Sequence, residues 1–143
     1  MTVYVIDASV AIKWVTEEAG TTEALSLRRH QLIAPDLLVA ECANIVWKKV
    51  RRGELSEEEA TLAARLLARA DMELAPMRPL LEPATRIAIS LDHAAYDCVY
   101  LALAEARHCS FVTADAGFHR RALAAGLGTK VVLLSAMPSA TGT

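Results

Sequence analysis

A chain of 143 residues has the length of one domain, and 54% hydrophobic residues give it the means to bury a core. A net charge of −2 excludes a disordered polyelectrolyte and offers no overall basic footprint for nucleic acid, so an RNA or DNA partner would need charge placed locally or supplied by metal ions. The three cysteines, Cys42, Cys98 and Cys109, are scattered and lack zinc-site spacing, which fits buried thiols in a reducing cytoplasm.

In chain order, short apolar strands alternate with helices. The first strand, Val3–Ile6, is a continuous apolar run ending on Asp7, with a helix over 9–15 after it. Lys13 interrupts this apolar stretch and no basic segment precedes it, so neither a membrane span nor a signal peptide is expected, and the location expected is cytoplasmic. A helix over 22–29 leads to a strand at 32–34 and a long helix over 36–51, closed by Gly53. Ser56 and Glu59 make a capping box for a helix over 56–70, and the run of acids at 57–59 reads as its dipole-favoured start. A strand at 73–77, helices over 79–90 and 93–107, a strand at 111–113, a helix over 116–125 and a strand at 130–134 complete the pattern. Continuous apolar strands separated by helices predict a parallel sheet covered on both faces. One domain over 1–136 is expected, with residues 137–143 as a frayed tail.

Four carboxylates sit where acids seldom sit. Asp7 and Asp115 stand immediately past strands, where an Asp commonly caps a helix or forms a turn. Glu41 is the only charge in LLVAECANIVW; at about 100° per residue it falls some 40° from Leu37, inside the apolar arc. Asp97 has Tyr100, Leu101 and Ala104 at i+3, i+4 and i+7, again on a face that would be buried. Either acid could instead reach past that face to water or pair with a buried base. In open α/β sheets functional groups gather beyond the carboxyl ends of the strands, which could unite all four. Two like charges at 4 Å cost on the order of 4 kcal/mol at an effective dielectric of 20, so such a set would protonate or take up a cation. Its all-oxygen ligands point to Mg²⁺ or Mn²⁺ and not zinc.

The segments YVIDASVAIKW, APDLLVAECANIVWK, AAYDCVYLALAEA and FVTADAGFHRRA together resemble the PIN-domain ribonucleases, most of all the VapC-type toxins of toxin–antitoxin modules. The likeness spans residues 3 to about 134 and lies in the ordered set, each motif being weak by itself. It implies a three-layer α/β/α sandwich with a five-stranded parallel sheet of order 3-2-1-4-5, and a metal-dependent endoribonuclease leaving a 3′-hydroxyl and a 5′-phosphate. Asp7, Glu41, Asp97 and Asp115 match its acidic quartet, expected to hold Mg²⁺ or Mn²⁺, and Ser9 and Thr113 match hydroxyls that support it. His93, Arg120 and Arg121 are candidates for touching RNA, although each has an ordinary reading as a helix residue. A cognate antitoxin and a homodimer are implied as partners, with Trp14, Trp47 and the apolar face of 37–46 as candidate interface. Lys48, Lys49, Arg51 and Arg52 read as charges complementing a helix C-terminus.

Competing readings are a PIN domain that binds without turnover or serves as a housekeeping nuclease, an aspartate-nucleophile phosphatase and a DNA 5′-nuclease. The phosphatase is disfavoured because Ser9 stands where a second Asp is needed, and the DNA nuclease because it would carry more acids and a longer chain.

Overall fold

A computed structural model describes residues 2–138. Five parallel strands form one sheet in the order β3-β2-β1-β4-β5: β1 Val3–Ile6, β2 Gln31–Pro35, β3 Glu73–Ala75, β4 Ser110–Thr113 and β5 Val131–Leu133. This is the order expected from the resemblance. The two outer strands have only three residues each, which limits the edge left open to foreign strands.

The helices are α1 Ala8–Ala11, α2 Thr21–Leu27, α3 Leu37–Arg51, α4 Glu57–Ala68, α5 Leu81–Leu91, α6 Ala95–Ala106 and α7 Ala116–Ala124. The helix expected over 9–15 is a short α-helical turn continued by a 3₁₀ turn, Ile12–Trp14. Capping by Asp7 starts this element one residue earlier than expected, leaving Ser9 inside it. His93, expected in the first turn of a helix over 93–107, lies ahead of α6. The α5 end intervenes, with Asp92 in the left-handed region at φ 49°. The capping box of Ser56 and Glu59 is present in full. Of the tail, Met137 closes a turn onto the Leu134 carbonyl at 3.0 Å, while Ser139–Thr143 lie outside the described residues.

The central strands are buried on both faces, as their uniform apolar character requires: Val5, Ile6, Ile33, Ala34, Phe111 and Val112 are fully enclosed. Helix α6 packs on β1, β2 and β4 and contributes Tyr100, Leu101 and Ala104 to the same core, so the face on which Asp97 stands is indeed the buried one. Helix α3 pairs with α4 and also touches α1 and β2. Lys49 is more than a helix-end charge. It meets Glu18 at 3.0 Å, and Lys13 meets the same carboxylate at 2.9 Å, tying the end of α3 to the chain beyond α1.

Cys42 and Cys98 are buried thiols, and burial beside acids pushes Cys42 up to about 12 and Cys98 to about 11, which keeps both protonated and inert. Among the described residues, no single helix is long and apolar enough to cross a membrane.

Candidate metal-dependent active site

Parallel pairing of β1 with β4 sets the site. Ile6 lies level with Val112, so the residues that follow, Asp7 and Thr113, emerge side by side from the carboxyl edge of the sheet. The Thr113 hydroxyl donates to Asp7 Oδ2 at 2.6 Å. Ser9, in the first turn of α1, donates to Asp7 Oδ1 at 2.5 Å, and the Val10 amide donates to the same oxygen at 3.2 Å. Asp7 is therefore both the N-cap of α1 and the centre of a polar clasp. Both hydroxyls also accept from the chain beyond β4: Ser9 Oγ from the Ala114 amide at 3.2 Å, and Thr113 Oγ1 from the Asp115 amide at 3.1 Å. Asp115 in turn caps α7, its Oδ1 accepting from the Phe118 amide at 3.0 Å.

Glu41 reaches the site from α3 and Asp97 from the first turn of α6. Asp7, Glu41, Asp97 and Asp115 together line one cleft of about 510 Å³ at the sheet's carboxyl edge, where a parallel sheet places its functional groups. Among the described residues, no three His, Cys, Asp or Glu side chains are drawn to one point as a finished metal site. Burial raises Asp7 to about 6 against the pull of the Ser9 and Thr113 hydrogen bonds, with the Asp97 charge adding to the rise. Asp97 is likewise raised to about 6, first by burial and then by the charge of Asp115, with Glu41 adding to it and His93 opposing. Two carboxyls raised toward neutral pH, by burial first and by neighbouring carboxylates second, mark a site where a cation would favour the charged forms. The donor set is all oxygen, so it fits a hard divalent cation.

Some contributors escaped the sequence reading. Tyr100, fully buried and stacked on Phe111 with ring centroids 5.5 Å apart, donates its hydroxyl to Glu41 Oε1 at 2.5 Å, so a core residue of α6 orients an acid of α3. Asn44 and Lys48 line the cleft from α3, and Tyr96 lines it from α6. The signal for the first two was in the spacing: 41, 44, 45 and 48 form one helical stripe. Lys48 stands in the last turn of α3, as its reading as a helix-end charge requires, and also lines the acidic cleft.

The remaining candidates are placed as follows. His93 Nε2 stands 3.7 Å from Asp97 Oδ2, its Nδ1 meets the Ala94 carbonyl oxygen at 2.9 Å, and its ring packs edge-on against Phe118. Arg121 donates through Nη1 to the carbonyls of Leu91 and Asp92, at 3.2 and 2.8 Å, closing the end of α5. Arg120 is exposed. Trp14 donates Nε1 to the Ala24 carbonyl at 2.7 Å and so belongs to the fold, whereas Trp47 is 52% exposed.

The sequence model of the PIN domain matches residues 4–123. The chain belongs to the PIN-domain family. This PIN domain is 31% identical over 111 residues to ribonuclease VapC9 of Mycobacterium tuberculosis, covering 78% of this chain and 84% of that one. It is 32% identical over 115 residues to ribonuclease VapC3 of Pyrobaculum aerophilum, covering 78% and 88%. The crystal structure of PAE2754 from Pyrobaculum aerophilum superposes with a TM-score of 0.68 at 24% identity, covering 94% of this chain and 85% of that one. The two VapC relatives are ribonucleases by name, and the solved structure shares the fold.

Proposed function

We propose that this PIN domain is a metal-dependent endoribonuclease acting as the toxin of a toxin–antitoxin module on cytoplasmic RNA. The observation that carries the reading is the convergence of Asp7, Glu41, Asp97 and Asp115 on one cleft, two of them raised to about 6. Asp7, Asp97 and Asp115 would hold Mg²⁺ or Mn²⁺, with Glu41 completing or orienting the set. Bound there, a divalent cation supplies Lewis-acid stabilisation of the phosphate's developing charge and acidifies an attacking water.

The chain's own residues supply position. Ser9 and Thr113 hold the Asp7 carboxylate by both oxygens, and Tyr100 holds Glu41, so neither acid must be ordered when substrate arrives. Asp115 keeps one oxygen on the Phe118 amide, leaving Oδ2 for the cleft. Hydrolysis in line would leave a 3′-hydroxyl and a 5′-phosphate. Of the two arginines on α7, Arg120 is the better placed for a backbone phosphate, because Arg121 is engaged at the end of α5. His93, beside Asp97, is a further candidate contact with RNA.

A cognate antitoxin and a second copy of the chain are the partners proposed. An apolar groove of about 360 Å³ between α3, α4 and β3, lined by Leu38, Val39, Cys42 and Val46 on the α3 side, supports a protein-binding face, as do exposed Trp47, Leu62 and Leu66.

The test is cleavage of RNA with Mg²⁺ or Mn²⁺ by wild type and Asp7→Asn. Loss of cleavage in the variant, and in wild type with chelator, is expected; equal cleavage by both proteins would overturn the site assignment. A folded wild type that cleaves no RNA would point to the binding-module reading.

A further inference from the structure

The cleft carries two exposed side chains that the acidic quartet does not use. Lys48 stands on α3 two turns beyond Glu41, about 10 Å along the helix axis at 1.5 Å per residue. Among the described residues it makes no ion pair, whereas its neighbour Lys49 is held by Glu18 and Glu54 at 3.0 and 3.6 Å. Tyr96 lines the same cleft from the start of α6, adjacent to Asp97. It is 65% exposed, in contrast to Tyr100 one turn later, which is fully buried. Among the described residues Tyr96 has neither an aromatic partner nor a side-chain hydrogen bond.

Each placement calls for a ligand. Among the described residues Lys48 pairs with none of the acids in this lining, so its charge is left for an anion entering the cleft. That anion cannot be attracted by the acids themselves, which repel it. A flat ring left in water beside a charged site offers a surface on which a nucleobase can stack. The two groups line one cleft from different helices, with the acids in the same lining.

We propose that Lys48 and Tyr96 grip the RNA strand, Lys48 binding a backbone phosphate next to the scissile one and Tyr96 stacking on the base of an adjoining nucleotide. The inference rests on the RNA-cleaving reading of the acidic cleft. It assigns strand positioning to two residues outside the quartet. It also divides their roles: Lys48 reads charge, and Tyr96 reads an unstacked base of any identity. Asn44, between Glu41 and Lys48 on the stripe, lines the same cleft.

The test separates grip from chemistry. Binding of a fluorescein-labelled single-stranded oligoribonucleotide is measured by anisotropy in chelator on the Asp7→Asn background, and Mg²⁺-supported cleavage is measured on the wild-type background. Lys48→Ala should weaken binding about tenfold and flatten the slope of log K against log salt by about 0.7, the signature of one lost phosphate contact to a single strand. Tyr96→Leu should weaken binding about tenfold without changing that slope. Lys48→Arg and Tyr96→Phe should stay within about twofold of the parent, since each keeps the charge or the ring. In cleavage, Lys48→Ala and Tyr96→Leu should raise KM more than they lower kcat. Both side chains are exposed, and an unchanged thermal midpoint checks the fold.

Binding by Lys48→Ala and Tyr96→Leu equal to the parent would overturn the grip, and so would Tyr96→Phe as weak as Tyr96→Leu, while cleavage by wild type would leave the ribonuclease reading standing. The predicted binding losses in a protein whose wild type cannot cleave would overturn the activity and leave the grip intact.

Discussion

Removing the charge of Asp7 should abolish activity and at the same time make the metal-free protein more stable. Asp7 is 5% exposed and its carboxyl is raised from an ordinary 3.8 to about 6, so at pH 8 the fold holds a charge that the unfolded chain holds more comfortably. A carboxyl raised on folding stabilises the protein below its unfolded value, and that stabilisation is lost as pH climbs through the folded value. The shift of about two units corresponds to about 3 kcal/mol of charge penalty at pH 8. Asn in place of Asp keeps an oxygen for Ser9 and Val10 and turns its amide toward Thr113 Oγ1, so the clasp can survive with one hydroxyl reoriented. The like charge of Asp97 is one of the causes of the rise in Asp7, so its relief is already contained in that penalty.

Urea unfolding in chelator at pH 8 should therefore show Asp7→Asn more stable than wild type by up to about 3 kcal/mol. The advantage should shrink to about half at pH 5, where the wild-type carboxyl is largely protonated in the folded protein. Adding Mg²⁺ or Mn²⁺ should raise the wild-type midpoint and leave the variant nearly unmoved. A variant less stable than wild type at pH 8, or an advantage that does not shrink toward pH 5, would refute the reasoning.

Tyr100→Phe should free Glu41 and lower kcat about tenfold, while destabilising the fold by only about 1 kcal/mol, because half-buried Glu41 can take water in place of the hydroxyl; steady-state cleavage and urea unfolding check both. Thr113→Val strips Asp7 Oδ2 of its donor and should cost about 1–3 kcal/mol at pH 8, read by urea unfolding, with Thr113→Ser close to wild type. Ser56→Ala breaks the capping box of α4 and should cost about 1 kcal/mol by the same measurement, with RNA cleavage unchanged.

Much of this was legible in the sequence because each carboxylate violates a local rule. Asp7 directly follows an apolar strand, Asp115 stands two residues past β4, and Asp97 shares a face with the buried Tyr100, Leu101 and Ala104. The order of the strands, by contrast, came from the family resemblance, since periodicity says which residues form strands but not which strands are neighbours. Tyr100 was hidden for a physical reason. An aromatic residue on a buried face needs no explanation beyond packing, and its bond to Glu41 joins residues 59 positions apart. Lys48 was hidden by company, standing in a run of bases at a helix end where the dipole accounts for positive charge; only the structure separates it from Lys49, which Glu18 holds. Asp7 was the opposite case, where capping and the cleft were rival explanations and both apply.

The clasp between Thr113 and Asp7 spans 106 positions of sequence. Strand β1 and α3 leave the ribosome carrying Asp7 and Glu41, but the neighbour that flanks β1 on its other side, with Thr113 and Asp115, is synthesised last but one among the strands. A nascent chain that stops before β4 therefore carries Asp7, Glu41 and Asp97 but lacks Asp115 and the Thr113 half of the clasp, with Asp7 held only by Ser9 and the Val10 amide. On the proposed reading of the cleft, catalytic competence is a property of the finished polypeptide, and a product of interrupted translation that lacks β4 would be inactive.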